Sequence, residues 1–182
     1  MAQGGVMVSY KQASSLEELE QILALQQENL PKNISVEESA KEGFVTVEHT
    51  LEQLKAMNDE CGHIIAVDND AVVGYALCMH PKFGDTVEVL RPMFAEIDEI
   101  RGNRMDYMAM GQICVAKSHR GKGIFRNLYL TMKEKLPTGF DTIITEVDGQ
   151  NKRSLAAHAA IGFETLKVYW SGGREWHLIG LE

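Results

Sequence analysis

The chain has 182 residues, 45% hydrophobic and 24% charged, apolar enough to bury a core and too apolar for a disordered polymer. Its net charge of −8 speaks against a nucleic-acid partner, which would call for a basic surface; it suits solubility and, weakly, a cationic acceptor. Cys61, Cys78 and Cys114 stand far apart with no CxxC spacing, so no disulfide framework or zinc site is expected, and a reducing, cytoplasmic setting is.

Met1 to Gly5 has neither the basic nor the apolar region of a signal peptide, and no run approaches the roughly eighteen apolar residues of a membrane span. Val6–Tyr10 is short and β-prone, a first strand. Ser14 and Ser15, each three residues ahead of a glutamate (Glu17, Glu18), predict a capped helix that carries Leu16, Leu19, Ile22, Leu23 and Leu30 and stops at Pro31. Lys32–Phe44 reads as irregular and polar. A second helix is expected over Thr46–Asn58, with Val47, Leu51, Leu54 and Met57 on one face.

His63–Val67 and Val72–Leu77 flank Asp68-Asn69-Asp70, which predicts a hairpin. Residues 81–104 are rich in breakers and read as a long excursion with one short helical piece near Met93–Ile97; such loops often border a binding site. A strand follows at Tyr107–Val115, then a glycine loop and a helix over Gly123–Leu136. A strand at Asp141–Val147, a short helix at Asn151–Ala160 and a hairpin (Phe163–Trp170, Arg174–Ile179) turning at Ser171-Gly172-Gly173 complete the chain. With no repeat, linker or low-complexity tract, residues 1–182 are expected to form one domain.

The loop Arg120-Gly121-Lys122-Gly123-Ile124-Phe125 carries the chemistry. Backbone N–H groups at a helix start lack intrahelical partners and sit at the positive end of the dipole, which suits a pyrophosphate. Gly121 and Gly123 allow close approach of backbone to oxygen. From Lys117 to Lys135 six Lys or Arg face one acid, Glu134, a basic island on an acidic chain. The alternative is a solvated helix face whose loop merely turns a corner. A P-loop would need Ser or Thr after Lys122, and a dinucleotide fingerprint a third glycine where Arg126 stands.

Arg120-x-x-Gly123-x-Phe125 resembles the [Gln/Arg]-x-x-Gly-x-[Gly/Ala] loop of the GCN5-related N-acetyltransferase (GNAT) family, with Phe125 departing from the final small residue. Asn151, Ser154, His158, Gly162 and Phe163 follow about thirty residues on. They are similar to the family's Asn-x-x-Ala-x-x-x-Tyr-x-x-x-Gly-Phe.

The resemblance covers roughly Tyr107–Trp170. It implies an α/β (α+β) fold: a mixed, mostly antiparallel sheet of six to seven strands, splayed at the cofactor site and flanked by about four helices. It also implies acetyl-CoA as co-substrate. Ile113 and Val115 would pair with the pantetheine arm, residues 120–125 would hold the pyrophosphate, and Asn151 would belong to the cofactor site. Dimers are common in the family, so a homodimer is among the assemblies expected.

The acceptor amine must be neutral to attack a thioester. Holding a lysine-like amine neutral at pH 7 costs roughly 4–5 kcal/mol, an α-amine only about 1. A base, an acid for the departing thiolate and an oxyanion donor are therefore useful; a strand amide near Ile113–Val115 suits the last role.

By resemblance His158 stands where the family's tyrosine acts as that acid; the alternative is a packed or capping histidine. Glu146, five residues before Asn151, matches the base of the ribosomal-protein N-terminal acetyltransferases; the alternative is a structural strand-end carboxylate. Asp98, Glu99 and Asp106 compete with it. Cys114 suggests a covalent route but reads better as packing. The histidines show no ligand spacing, so no metal is expected. Tyr169, Trp170 and Trp176 either fill the core or line an acceptor wall.

Two functions remain open. One is an N-acetyltransferase acting on a small-molecule or peptide amine. The other is a non-catalytic acyl-CoA-binding sensor or interaction module.

Overall fold

The computed structural model describes residues 7–42 and 45–182; Val6 and Phe44, at the edges of two sequence-predicted segments, lie outside them. The strands are Ser9–Gln12 (β1), Ile64–Asp68 (β2), Ala71–Met79 (β3), Tyr107–Val115 (β4), Thr142–Asp148 (β5), Glu164–Ser171 (β6) and Arg174–Leu181 (β7). They form one sheet in the order β1-β2-β3-β4-β5-β7-β6. Every pairing is antiparallel except β4 with β5. This is the mixed sheet expected from the sequence.

Six α-helices appear among the described residues: Leu16–Glu28 (α1), Val36–Glu42 (α2), Leu51–Glu60 (α3), Arg91–Arg101 (α4), Ile124–Glu134 (α5) and Lys152–Ile161 (α6). Successive strand residues point to opposite faces, so the sheet is covered on both sides. On one face Ile64, Ala76 and Met108 pack with Leu128 and Met132 of α5, and Leu155 and Ile161 of α6 join them. On the other, Ile65, Tyr75 and Leu77 pack with Leu19 and Ile22 of α1 and Leu54 of α3. There Met79, Ala109 and Ile144 also meet Met93, Phe94 and Ile97 of α4. Ile22 and Leu54 are completely buried, so truncating either to alanine costs about 2–5 kcal/mol.

Local signals set the element ends. Ser15 and Glu18 form the capping box of α1, and Thr50 and Gln53 that of α3. Asn69 and Asp70 adopt positive φ (48° and 65°) in the β2–β3 turn.

Three stretches differ from the sequence reading: the helix expected over Thr46–Asn58 starts only at Leu51, behind its Thr50 cap, and two segments read as irregular or breaker-rich hold helices. The segment read as irregular contains α2, whose first turn is capped by the Ser35 hydroxyl accepting from the Glu38 amide at 3.1 Å. The short helical piece expected at Met93–Ile97 is the full helix α4. Its Pro92 lies in the first turn, where no intrahelical N–H is needed, and Gly102 ends it with φ 65°. The supposed breakers are boundary residues.

The feature that shapes the site lies in β4. Between Ala76↔Ile113 and Cys78↔Met110, β4 carries one residue more than β3, a bulge around Gly111 and Gln112. The parallel ladder of β4 with β5 covers only Tyr107–Ala109 against Thr142–Ile144 and then ends. A bulge bends its strand, which is how β4 parts from β5 here. Beyond the last rung, the Thr145 hydroxyl still donates to the Met110 carbonyl at 2.9 Å.

Candidate active site

The glycine loop stands where β4 hands over to α5. Gly121 and Gly123 have φ of 73° and 79°. No side chain caps α5 at Gly123, so its first-turn amides are available to an anionic ligand. A Cβ on Gly121 would meet nothing within 4 Å, which makes backbone conformation, not space, the reason for glycine there. Arg120 braces the loop: its Nε donates to the Val115 carbonyl at 3.1 Å and a terminal nitrogen to Asn29 Oδ1 at 2.7 Å. Gly121, Lys122 and Gly123 are exposed and Ile124 is buried beneath them. Phe125, the departure from the small residue, turns inward and meets Tyr129 and His158 edge-on at 5.4 and 5.0 Å.

A groove of about 1070 Å³ opens where β4 and β5 part. Met110, Gly111, Gln112 and Ile113 of β4 form one wall, and Thr145 to Asp148 of β5 another. The start of α6 (Asn151 to Ser154) closes one side, and Tyr169, Trp176 and the β6–β7 turn the other. Val36, Ser39 and Ala40 of α2 also border it. The main chain of Lys41 in α2 accepts from Arg153 of α6 at 2.7 Å. Gln112 is fixed between the Tyr75 hydroxyl (2.6 Å) and the Val47 carbonyl (2.7 Å), tying the groove wall to the core. A second concavity of about 410 Å³ near Ile97, Arg101 and Glu164 contains none of the sequence-predicted site residues.

Glu146 projects from β5 into this groove, on the face that α4 covers. Burial is the main influence on its carboxyl and raises it to about 7, with the Tyr169 hydroxyl bond opposing in part. The Tyr169 hydroxyl is itself pushed far up by burial, so it stays protonated and donates. The group is thus poised to exchange a proton near neutral pH.

His158 is buried at the groove edge. Its Nδ1 lies 2.7 Å from the Ser154 carbonyl, which can only accept, so Nδ1 carries the hydrogen. Nε2 then accepts from the Tyr129 hydroxyl at 2.8 Å. Burial lowers its pKa, and the ring is neutral at pH 7. Protonation of a thiolate by His158 requires the Ser154 bond to break first.

The structure therefore brings Glu146, His158, Asn151 and Ile113 to one groove; of the loop, none of residues 120–125 lines that groove, and only Gly121, Lys122 and Gly123 are fully exposed, beside β4 and α5. Val115 is not part of the groove; its carbonyl serves Arg120. The Asn151 side chain caps α6, accepting from the Ser154 amide at 3.0 Å. Glu99 pairs with Lys167, Asp106 pairs with Arg101 and Arg104, and neither they nor Asp98 line the groove. Burial pushes the Cys114 thiol up to about 12, which suits packing rather than nucleophilic attack.

Trp170 is 72% exposed and Tyr169 and Trp176 line the groove, so the last hairpin divides between surface and wall. The sequence reading does not single out Gln112, Thr145 or α2. For α2 a signal was present, Ser35 three residues before Glu38.

No group of three or more His, Cys, Asp or Glu among the described residues could hold a metal ion, and no helix among them is long and apolar enough to cross a membrane. No curated protein matches the chain. Among solved structures, Ard1 from Thermoplasma volcanium has a TM-score of 0.65 at 12% identity, over 97% of each chain. The ribosomal-protein-S18-alanine N-acetyltransferase from Escherichia coli has a TM-score of 0.64 at 12% identity, over 96% of this chain and 93% of that one. Arabidopsis thaliana Naa50, in complex with the bisubstrate analogue CoA-Ac-MVNAL, has 0.62 at 19% identity, over 97% and 99%. The model of the acetyltransferase (GNAT) family matches residues 19–163. The chain belongs to this family and is an acetyl-CoA-dependent acyltransferase.

Proposed function

We propose that the chain moves an acetyl group from acetyl-CoA to a primary amine of a small molecule or peptide, by direct attack in a ternary complex with Glu146 as general base. The observation that carries this reading is the Glu146 carboxyl, half-buried in the groove beside the splayed strands and raised by burial to about 7. A non-catalytic acyl-CoA sensor has no use for such a group.

The pyrophosphate would rest on the amides from Gly121 to Phe125, with Lys122 adding charge. The acyl arm would run along β4 past Ile113, and a main-chain amide there would steady the carbonyl oxygen as it gains charge. Acetyl-CoA supplies the activated thioester. The ammonium yields one proton to Glu146, the freed nitrogen bonds to the acetyl carbon, the carbon–sulfur bond breaks, and the nitrogen's second proton leaves with the CoA thiolate as the free thiol. A carboxyl at about 7 lies within about one pK unit of an α-ammonium, so that transfer is nearly balanced.

His158 is a positioning residue in this scheme, holding the Tyr129 hydroxyl and the Ser154 main chain in place. The peptide-acetylating neighbours support an amino-group acceptor, and the free thiols Cys61, Cys78 and Cys114 support a cytoplasmic setting.

Thiol release from acetyl-CoA with a broad amine panel tests the reading. Turnover is expected to rise with pH through about 7. Glu146→Gln is expected to lose that rise and at least a hundredfold in kcat/KM, with acetyl-CoA binding retained. Tight acetyl-CoA binding with no amine turned over would refute it.

A further inference from the structure

Apart from Asp148, the charged side chains that line the groove with Glu146 are the cations Lys152, Arg153 and Arg174, and the Glu146 carboxyl itself meets a hydroxyl. Its hydroxyl partner Tyr169 belongs to an apolar cluster with Leu90, Met93 and Leu178, against which Val47 and Trp176 pack. Tyr169, Leu90 and Met93 are buried, and with Val47 and Trp176 they line the groove beside the carboxyl. Val89, 62% exposed, forms the lip of this wall. The described lining holds one other carboxylate, Asp148, and that is committed to Arg174 at 3.0 Å. Gln112 has its carbonyl and amide engaged, and the Trp176 Nε1 donates to the Ser171 carbonyl at 3.2 Å. The chamber around the base thus offers apolar surface and few uncommitted polar partners.

We infer that the acceptor is a primary amine borne on an apolar group, which docks on the wall of Val47, Val89, Leu90, Met93 and Trp176 and presents its nitrogen to Glu146. This rests on the acetyltransferase reading above and names its substrate class. A polyamine, one of the cationic acceptors an acidic chain could suit, would need a second carboxylate for its distal ammonium, and Asp148 is already paired. A second ammonium in this chamber would lose water without gaining a free carboxylate. An alkyl or aryl group gains by leaving water, and each extra methylene in such a pocket is worth on the order of tenfold in discrimination.

The test uses the full chain, saturating acetyl-CoA and two matched series. One consists of short peptides beginning with Met or Leu, against the same peptides beginning with Asp or Lys. The other sets hexylamine and phenylethylamine against spermidine and agmatine. The apolar members are expected to exceed their polar counterparts at least tenfold in kcat/KM, and whichever series responds identifies the source as peptide or free amine.

Val89→Lys, at an exposed position that folding tolerates, should cut the apolar advantage about tenfold while leaving the KM for acetyl-CoA unchanged. Preferred turnover of spermidine or of the charged peptides, or an unchanged preference in Val89→Lys, overturns the inference and leaves the acetyltransferase reading standing. If no amine in either series is acetylated while acetyl-CoA still raises Tm, both fall together.

Discussion

Phe125, Tyr129, His158 and Phe163 interlock edge-on, with ring centroids 4.8 to 5.4 Å apart. Such contacts add to burial, and the Tyr129–His158 hydrogen bond satisfies two polar atoms that have no access to water. Truncating His158 to alanine opens a cavity and orphans the Tyr129 hydroxyl, an expected loss of about 3 kcal/mol, seen as a fall in Tm. Tyr129→Phe keeps the shape and is expected to cost about 1 kcal/mol. A proton-donating His158 would behave differently, with kcat collapsing in His158→Ala at near-normal Tm and Tyr129→Phe almost silent. The motif spacing brought His158 into view. Its neighbours could not be read, because Tyr129 is 29 residues distant and meets it only through the packing of α5 against α6. Glu146 was legible by its distance from Asn151; its raised carboxyl was not, since that depends on burial by residues distant in sequence, against which the Tyr169 hydroxyl acts only in part.

At the level of elements, β4 and the loop after it do the positioning. The strand was legible to the residue, because Tyr107–Val115 is an apolar run interrupted only at Gly111 and Gln112. Its bulge was not, since an extra residue shows only against the partner strand. The αL glycines ahead of α5 lead to a direct expectation. At φ 73° an alanine in place of Gly121 is strained by about 1–2 kcal/mol although its methyl group has room. Gly121→Ala should therefore lower Tm modestly and raise the KM for acetyl-CoA severalfold, with kcat for the amine little changed. A Tm drop with unaltered KM would confine the glycine to folding. Helix α4 was misread because proline and glycine were taken as loop formers where they bound a helix, and α2 because its polar composition masked the Ser35 cap.

For the molecule as a whole, buried titratable groups set the response to acid. His49 and His63 are held near 4, chiefly by burial, and so stay neutral when folded. Between pH 6.5 and 4 the unfolded chain takes up protons there that the folded chain refuses, so stability is lost as pH falls, on the order of 3 kcal/mol for each histidine. Glu146 acts in the opposite sense. Its folded carboxyl keeps a proton between 4.5 and 7 that the unfolded chain releases, so its contribution falls as pH rises through that window. Two histidines outweigh one carboxyl, and Tm is expected to drop steadily from pH 6.5 to 4.5. Glu146→Gln removes the opposing contribution, so it should show a higher Tm at pH 8 and a steeper acid decline. A parallel shift of both curves would mean that Glu146 titrates normally.

Most strand positions were legible from apolar runs and turn residues, and the sheet class from the family resemblance. The groove was not, because it arises where two strands fail to pair. The open edge of β4 beyond Ala109 has a consequence for how such an enzyme changes. In the reading proposed here the donor completes the sheet much as an added strand would, and what that edge recognises is the spacing of amides, whatever side chains they carry. Chains only 12% and 19% identical share this fold, and in that reading substitutions along β4 that preserve the extra residue are expected to leave the donor half intact. Val89 and Leu90 lie in the turn just ahead of α4 and Trp176 in β7, none of them on β4, so in this reading the acceptor half is free to be rewritten by itself. A new substrate then asks for a new wall, with the acetyl-handling edge inherited whole.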